Sequence, residues 1–168
     1  MSELIIIAPT LQDLPRIEAL YHAVAKIEGG LARTDDEVSA DYVRHNLEAS
    51  MSRGLSLVAL MNDEIIGEIH AYRPVPKVFA HVLSDLTIAV HPAQQKLGVG
   101  RALFSRFLET VRNQHPEILR IELIARESNQ RAIGFYQTLG FEIEGCFKNR
   151  IRSVGGGFES DIPMAWHR

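Results

Sequence analysis

One segment restricts this chain more than any other. An apolar run, LSDLTIAV (Leu83–Val90), closes on Val90-His91-Pro92, passes through QQKLGVG (Gln94–Gly100), and enters RALFSRFLETVRNQ (Arg101–Gln114). The run has the length and β-branched content of a strand, and Pro92 has no N–H with which to continue a ladder. Beyond the loop, apolar residues recur at Val99, Ala102, Leu103, Phe107 and Val111, which is helical spacing. Strand, glycine loop and amphipathic helix thus set the middle of the fold. The spacing places Gly98 and Gly100 in the first helical turn, where backbone N–H groups have no partner inside the helix. The helix dipole favours negative charge there, and the missing Cβ atoms let a ligand reach the backbone. Taken alone, a glycine pair at a helix start more often marks tight packing than a ligand. In this setting we read it as a seat for a phosphate or pyrophosphate.

The flanking sequence supplies the remaining elements. Leu4–Ala8 reads as a first strand stopped by Pro9. A helix starts near Thr10 and Asp13 and runs through Leu14, Ile17, Leu20, Tyr21 and Val24 to the Gly29-Gly30 stop. Thr34 with Glu37 forms a capping-box pattern, from which a second helix is expected to about Met51. Leu55–Leu60 and Glu64–Tyr72 read as a hairpin turning at Asn62-Asp63, residue types that tolerate positive φ. RPVPK (Arg73–Lys77) is a proline-stiffened loop, and Val82–Val90 is the strand described above. Ile118–Ala125 is a β-branched strand; Asn129–Phe141 is a helix capped by Asn129 and stopped at Gly140. Phe141–Phe147 and Phe158–Trp166 read as two closing strands around Gly155-Gly156-Gly157. The resulting order, βααβββαβαββ, implies an α/β fold with a mixed sheet and helices on both faces, and residues 1–168 read as one domain.

Composition narrows the function classes. A hydrophobic content of 46% is that of a soluble globular chain, and a formal charge of −3 gives no reason to expect nucleic acid as a partner. No segment approaches membrane-spanning length, and the stretch MSELIIIAPT lacks the basic start and long apolar core of a secretory leader. The lone Cys146 cannot form an internal disulfide and reads as a buried small hydrophobe, which fits a reducing cytoplasm. The seven histidines show no H-x-x-x-H or Cys/His spacing, so no metal site is expected.

Two familiar phosphate loops are excluded. A Walker loop needs Gly-Lys-Ser/Thr, whereas Gly98 and Gly100 precede Val99 and Arg101. A dinucleotide fingerprint needs a third glycine where this chain has Leu103. What remains is Gln95-x-x-Gly98-x-Gly100 after Val90-x-Pro92, followed by Asn129-x-x-Ala132-x-x-x-Tyr136-x-x-x-Gly140-Phe141. This pairing resembles the GNAT superfamily of N-acetyltransferases over nearly the whole chain.

The resemblance implies acetyl-CoA as co-substrate and direct acetyl transfer to an amine, with no metal. Main-chain N–H groups of Gln95, Lys96, Leu97, Gly98, Val99, Gly100 and Arg101 would hold the pyrophosphate. Ile88, Ala89 and Val90 would pair with pantetheine as an added strand does, and Asn129 and Ala132 would contact the same arm. A bulge in that strand would splay the sheet and open a cleft, with a backbone N–H near Val90 as oxyanion donor. Lys96 and Arg101 either add charge near the phosphates or are solvated helix-start cations. Tyr136 stands where the family places the acid that protonates the departing thiolate. Asp85 is the candidate base for an amine with a pKa near ~10.4, or else a structural partner for Arg73, His81 or a backbone group. Glu68 and His81 are reserve bases, and each more often serves structure.

The closing sequence GFEIEGCFKNR resembles bacterial acetyltransferases of free amino acids and small amines, and less closely the ribosomal-protein N-terminal branch. A small-molecule amine acceptor is therefore expected, with Arg33, Arg73, Arg150 and Arg152 as candidates to grip a carboxylate. The competing class is a silent acyl-CoA-binding module. Exposed strands also leave room for a homodimer.

Overall fold

The computed structural model describes residues 3–168; Met1 and Ser2, where the N-terminal reading began, lie outside them. Eight strands form one mixed sheet in the order β1-β2-β3-β4-β5-β8-β6, with β7 paired on β8. They are β1 (Ile5–Ile7), β2 (Gly54–Met61), β3 (Glu64–Tyr72), β4 (Val82–Val90), β5 (Arg120–Arg126), β6 (Glu142–Ile143), β7 (Phe147–Arg152) and β8 (Phe158–His167). Four α-helices cover the sheet: α1 (Leu14–Ala25), α2 (Ala40–Arg53), α3 (Val99–Gln114) and α4 (Gln130–Thr138). The mixed sheet with helices on both faces agrees with the sequence-based expectation.

Strand alternation explains the two layers. In β2, Leu57 and Ala59 enter the core cluster that holds Leu103, Phe104 and Phe107 of α3. Val58 enters the other cluster, with Leu14, Ile17 and Tyr21 of α1 and Val43 and Leu47 of α2. A strand buried on both faces has little polar side to show, so its sequence runs apolar apart from Ser56. Burying a side chain of the size of Leu or Phe contributes about 1.5–3 kcal/mol, and the α3 row Leu103, Phe104, Phe107 and Val111 is fully buried. That row anchors the helix whose first turn faces the site.

The register of β4 matters most for function. It pairs antiparallel with β3 from Val90↔Gly67 to Thr87↔His70, and then resumes at Ser84↔Tyr72. Three residues of β4 thus span two of β3, so β4 carries one extra residue, and Asp85 takes φ 52 within it. On its other side β4 meets β5 in parallel only at Val82↔Arg120 and Leu83↔Ile121. Past that point the two strands diverge. The bulge lies at Asp85, five residues before Val90, where the sequence had pointed to an oxyanion donor.

Several local expectations are corrected. The Thr34–Glu37 capping box exists, but it caps only a 3-10 turn at Asp35–Glu37. Val38 is extended, and α2 begins afresh at Ala40 with the Ser39 hydroxyl accepting from Tyr42 N. The chain after Phe141 forms three strands instead of two, and Cys146 lies exposed between β6 and β7. Its neighbours face solvent, so the thiol has no apolar pocket to enter.

Arg120 ties the far half of the sheet together. It bonds Glu122 at 2.7 Å and grips Glu144 with both terminal nitrogens, and Glu144 also meets His167 at 3.1 Å. The guanidinium beside it holds the Glu144 carboxyl down at about 2. A depressed folded-state value means stability present above the unfolded carboxyl range and lost as pH falls from about 4.5 towards 2. Glu144 is 35% exposed, so solvent screening limits the contribution to about 1 kcal/mol. Glu144→Gln is therefore expected to lower urea stability near neutral pH and to match the parent protein near pH 2. A gap of equal size at both pH values would reject this ion pair as the source.

Candidate functional site

The glycine loop is held from both sides. The Gln95 side-chain amide donates to the Val90 carbonyl at 3.3 Å, tying the loop back to the last residue of β4. At the other end Gly98 is the helix N-cap with φ 84 and ψ 0, a left-handed conformation that costs a residue with a Cβ. Lys96 also has positive φ, at 67. Alternating left- and right-handed residues turn successive N–H groups towards one point, an anion-binding concavity. The first bond of α3 runs from Ala102 N to Gly98 O at 2.9 Å. Among the described residues, the amides from Lys96 to Arg101 donate to no backbone carbonyl. A Cβ built on Gly98 would meet nothing within 4 Å. Free amides around open space fit a phosphate-bearing ligand.

That space belongs to a cavity of about 700 Å³ lined by Ile88, Val90, Gln95, Lys96, Gly98, Gly100, Arg101, Asn129, Ala132 and Tyr136, among others. The Arg101 guanidinium lies over the Phe135 ring, 5.2 Å from its centroid, so one cation of the loop is steered to the cavity wall. Asn129 spends its side-chain oxygen on the Ala132 amide at 3.1 Å, capping α4. Leu97 and Val99 do not line the cavity: Leu97 is 68% exposed, and Val99 packs in the core. The Ala89 side chain is buried beneath α1 and α2 and does not line the cavity.

A second cavity of about 470 Å³ opens where β4 and β5 part, lined by Leu86, Thr87, Leu123, Ala125, Arg126, Arg150 and Asp161 among others. The two cavities share Gly30, Ile88, Asn129, Ala132 and Tyr136. Tyr136 therefore stands at their junction. Its ring packs on Phe104, Phe135 and Phe141, and burial alone pushes the phenol up to about 12. It is a neutral proton donor at any physiological pH. Asp161 faces Arg150 at 3.4 Å; burial raises its carboxyl, with Arg150 opposing the rise.

Other sequence candidates are placed elsewhere. Asp85 sits exposed on the bulge, lines neither cavity, and forms no ion pair among the described residues. Its charge acts on Tyr72, whose phenol is raised by burial first and by Asp85 second. His81 is exposed just before β4. Of the four arginines proposed for a carboxylate, only Arg150 lines the second cavity. Arg33 stacks 3.8 Å from the Tyr42 ring centre, Arg73 donates to the Arg53 carbonyl at 3.3 Å, and Arg152 lies over Phe158. Glu68 is 2% exposed and enters a buried polar cluster with Tyr21, Ser56 and His70. His70, Arg126 and Asp161 were not singled out from the sequence. The signal for His70 was its i, i+2 spacing from Glu68 in GEIHAY, which puts two ionisable groups on one strand face.

Comparison with known proteins now decides the family, because the model of the acetyltransferase (GNAT) family matches residues 17–141, well over half of the chain. The chain belongs to the GNAT family. Over 87 residues this GNAT chain is 34% identical to the ribosomal protein bS18-alanine N-acetyltransferase of Escherichia coli strain K12. That stretch spans 50% of this chain and 57% of the relative's length. An acetyltransferase of Streptococcus pneumoniae has the same fold, with a TM-score of 0.88, 22% identity, and coverage of 99% of this chain and 100% of that one. The yncA protein of Salmonella typhimurium, solved with its cofactor acetyl-CoA, gives a TM-score of 0.83 at 22% identity, covering 98% of this chain and 93% of its own. As a GNAT chain, it has a glycine loop whose free amides suit a coenzyme A pyrophosphate. No group of three or more His, Cys, Asp or Glu residues among the described residues could hold a metal ion.

Proposed function

We propose that this chain is an acetyl-CoA-dependent N-acetyltransferase that acts on the primary amine of a small molecule such as an amino acid. The observation that carries the reading is the junction at Tyr136: a cavity with free amides at one end opens beside that phenol into a second cavity that holds Arg126, Arg150 and Asp161. Bound acetyl-CoA would supply the reactive thioester. The amides from Lys96 to Arg101 would hold its pyrophosphate, and the free edge of β4 at Ile88–Val90 would align its pantetheine. Tyr136 Oη would hold the proton needed by the departing sulfur. Burial raises this phenol, and it raises a thiolate seated beside it for the same reason, so proton transfer between them stays feasible.

The acceptor's size follows from the second cavity. Its volume of about 470 Å³ falls in the range of small-molecule sites, roughly 300–1,000 Å³. Arg126 and Arg150 offer guanidinium groups to a carboxylate, and Asp161 offers a carboxylate to an ammonium. A zwitterionic amino acid carries both charges. A second reading is acetylation of a protein N-terminus, favoured by the similarity to the ribosomal protein bS18-alanine N-acetyltransferase.

An acceptor panel tests both. Free amino acids, simple primary amines and peptides with free N-termini are each incubated with acetyl-CoA, and products are read by mass. We expect acetylated amino acids or small amines. Products from peptides alone would overturn the small-molecule acceptor, and tight acetyl-CoA binding without turnover on any amine would make the chain a silent binding module.

A further inference from the structure

Glu68 and His70 are each only 2% exposed, yet both carry ionisable side chains in the middle of β3. Such burial is costly unless every polar atom is matched. The Glu68 carboxylate is well supplied: it accepts from the Tyr21 hydroxyl at 2.5 Å, from the Ser56 hydroxyl at 3.0 Å, and from His70 Nδ1 at 3.0 and 3.1 Å. Because Tyr21 gives its own proton to Glu68, and Nδ1 faces both carboxylate oxygens, the neutral form of His70 carries its proton on Nδ1. The lone pair is then on Nε2. Nε2 makes no hydrogen bond among the described residues, and no fully buried polar side-chain atom there lacks one. Nε2 therefore opens onto accessible space.

The ladder shows where that space lies. His70 stands directly opposite Thr87 of β4, and opposite residues of an antiparallel pair present their side chains on one face. Thr87 lines the second cavity, and so does Tyr136. The register that sets His70 against Thr87 is the last before the bulge, so the cleft opens at this level. A carboxylate at Nδ1 and an unpaired Nε2, on a residue that lines neither cavity itself but stands opposite one that lines the second, are the features of an oriented base acting through water.

We propose that His70, oriented by Glu68, accepts the proton of the acceptor ammonium through water in the cleft beside Thr87. The N–H bond of the ammonium breaks, its electron pair stays on the amine nitrogen, and a new N–H bond forms at Nε2. The resulting imidazolium is paired with the Glu68 carboxylate and later yields its proton to solvent. Glu68 is a positioning residue, and Tyr21 and Ser56 fix its carboxylate. This inference rests on the acetyltransferase reading, and it puts His70, which a carboxylate orients, in place of the exposed Asp85 as the base.

Other ionisable groups surround the pair: Tyr21 on α1, Tyr42 and His45 on α2, Tyr72 on β3 and Asp85 on β4. Tyr72 stacks on the His70 ring at 6.1 Å, and Arg53 and Arg33 act on Tyr72. Imidazole is the side chain whose charge ordinarily changes between about pH 5 and 8. His45 is the other imidazole beside the pair, and it contacts Tyr72, so His45→Gln serves as the control.

The experiment is the pH profile of kcat at saturating acetyl-CoA and saturating amine, using the best acceptor of the panel, for the wild type and His70→Gln, His45→Gln and Glu68→Gln. The wild type is expected to show an acidic limb between about pH 5 and 8. His70→Gln is expected to lose the limb and about 10²-fold in kcat while binding acetyl-CoA with unchanged affinity. His45→Gln keeps the limb, and Glu68→Gln displaces it along the pH axis. A limb retained in His70→Gln, or lost in His45→Gln, overturns the relay alone, and an unmoved limb in Glu68→Gln removes Glu68 from it. Should His70→Gln fail to fold, the wild-type profile still decides, since a flat kcat through this interval overturns the relay. A wild type that turns over no amine overturns the acetyltransferase reading itself.

Discussion

Gly98→Val is expected to weaken acetyl-CoA binding by about 10²-fold, with the fold intact. Two separate effects act on this one residue. Its φ of 84 lies in the left-handed region, where a residue with a side chain costs about 1–3 kcal/mol and a β-branched one sits at the upper end. No protein atom lies within 4 Å of the added Cβ, so the core is undisturbed and the cost is confined to the loop. The loop then either keeps its shape under strain or relaxes and turns its amides away from their common focus. In the first case the valine methyls occupy the space where the anion would sit; in the second, charge-assisted hydrogen bonds worth roughly 1.5–3 kcal/mol each are lost. A 10²-fold loss corresponds to about 2.7 kcal/mol, which either route supplies. Gly98→Asn separates them, because asparagine tolerates left-handed φ and should retain more affinity than valine. Calorimetric titration with acetyl-CoA reads the effect. Equal affinity in Gly98→Val would reject the loop as the pyrophosphate seat.

The loop was legible in sequence because its cause is local. Proline, paired glycines and a 3.6-residue apolar period all fall within about two dozen residues, and none depends on a distant partner. A bulge in this strand was implied only by the family resemblance, and its place at Asp85 was not legible, since a register exists only between two strands, and β3 and β4 are joined by a loop that carries no record of it. The same blindness applies to β7. FKNRIR has no apolar alternation because it lies on the sheet's exposed margin, and pairing with β8 alone makes it a strand. Thr34 and Glu37 form a real capping box, yet Val38 turns extended and Ser39 starts the helix anew, so a correct local signal gave the wrong boundary. The Glu68–His70 cluster is the clearest case of non-local information. Its third member, Tyr21, arrives from α1, 47 residues from Glu68, and in sequence Tyr21 is merely one more apolar position on an amphipathic helix.

Tyr136→Phe is expected to lower kcat by about 10²–10⁴-fold and to leave acetyl-CoA affinity within a factor of two or so, the range in which removal of a general acid acts. The substitution deletes one hydroxyl and keeps the ring, so the packing against Phe104, Phe135 and Phe141 survives. The phenol makes no hydrogen bond among the described residues, and no fully buried polar side-chain atom there lacks one, so the hydroxyl opens onto the cavity that Tyr136 lines and its loss leaves no orphaned group behind. Thermal stability should accordingly stay level, because an unpaired hydroxyl open to the cavity is being replaced by hydrogen. Such a split between rate and stability separates a proton donor from a core aromatic, which would show the reverse. With the phenol held at about 12, the parent enzyme's kcat should also show no basic limb from Tyr136 below that pH. Single-turnover rates with the best acceptor provide the measurement. If chemistry limits turnover and the phenylalanine variant keeps the parent rate, the sulfur takes its proton from elsewhere, and water in the shared cavity becomes the donor.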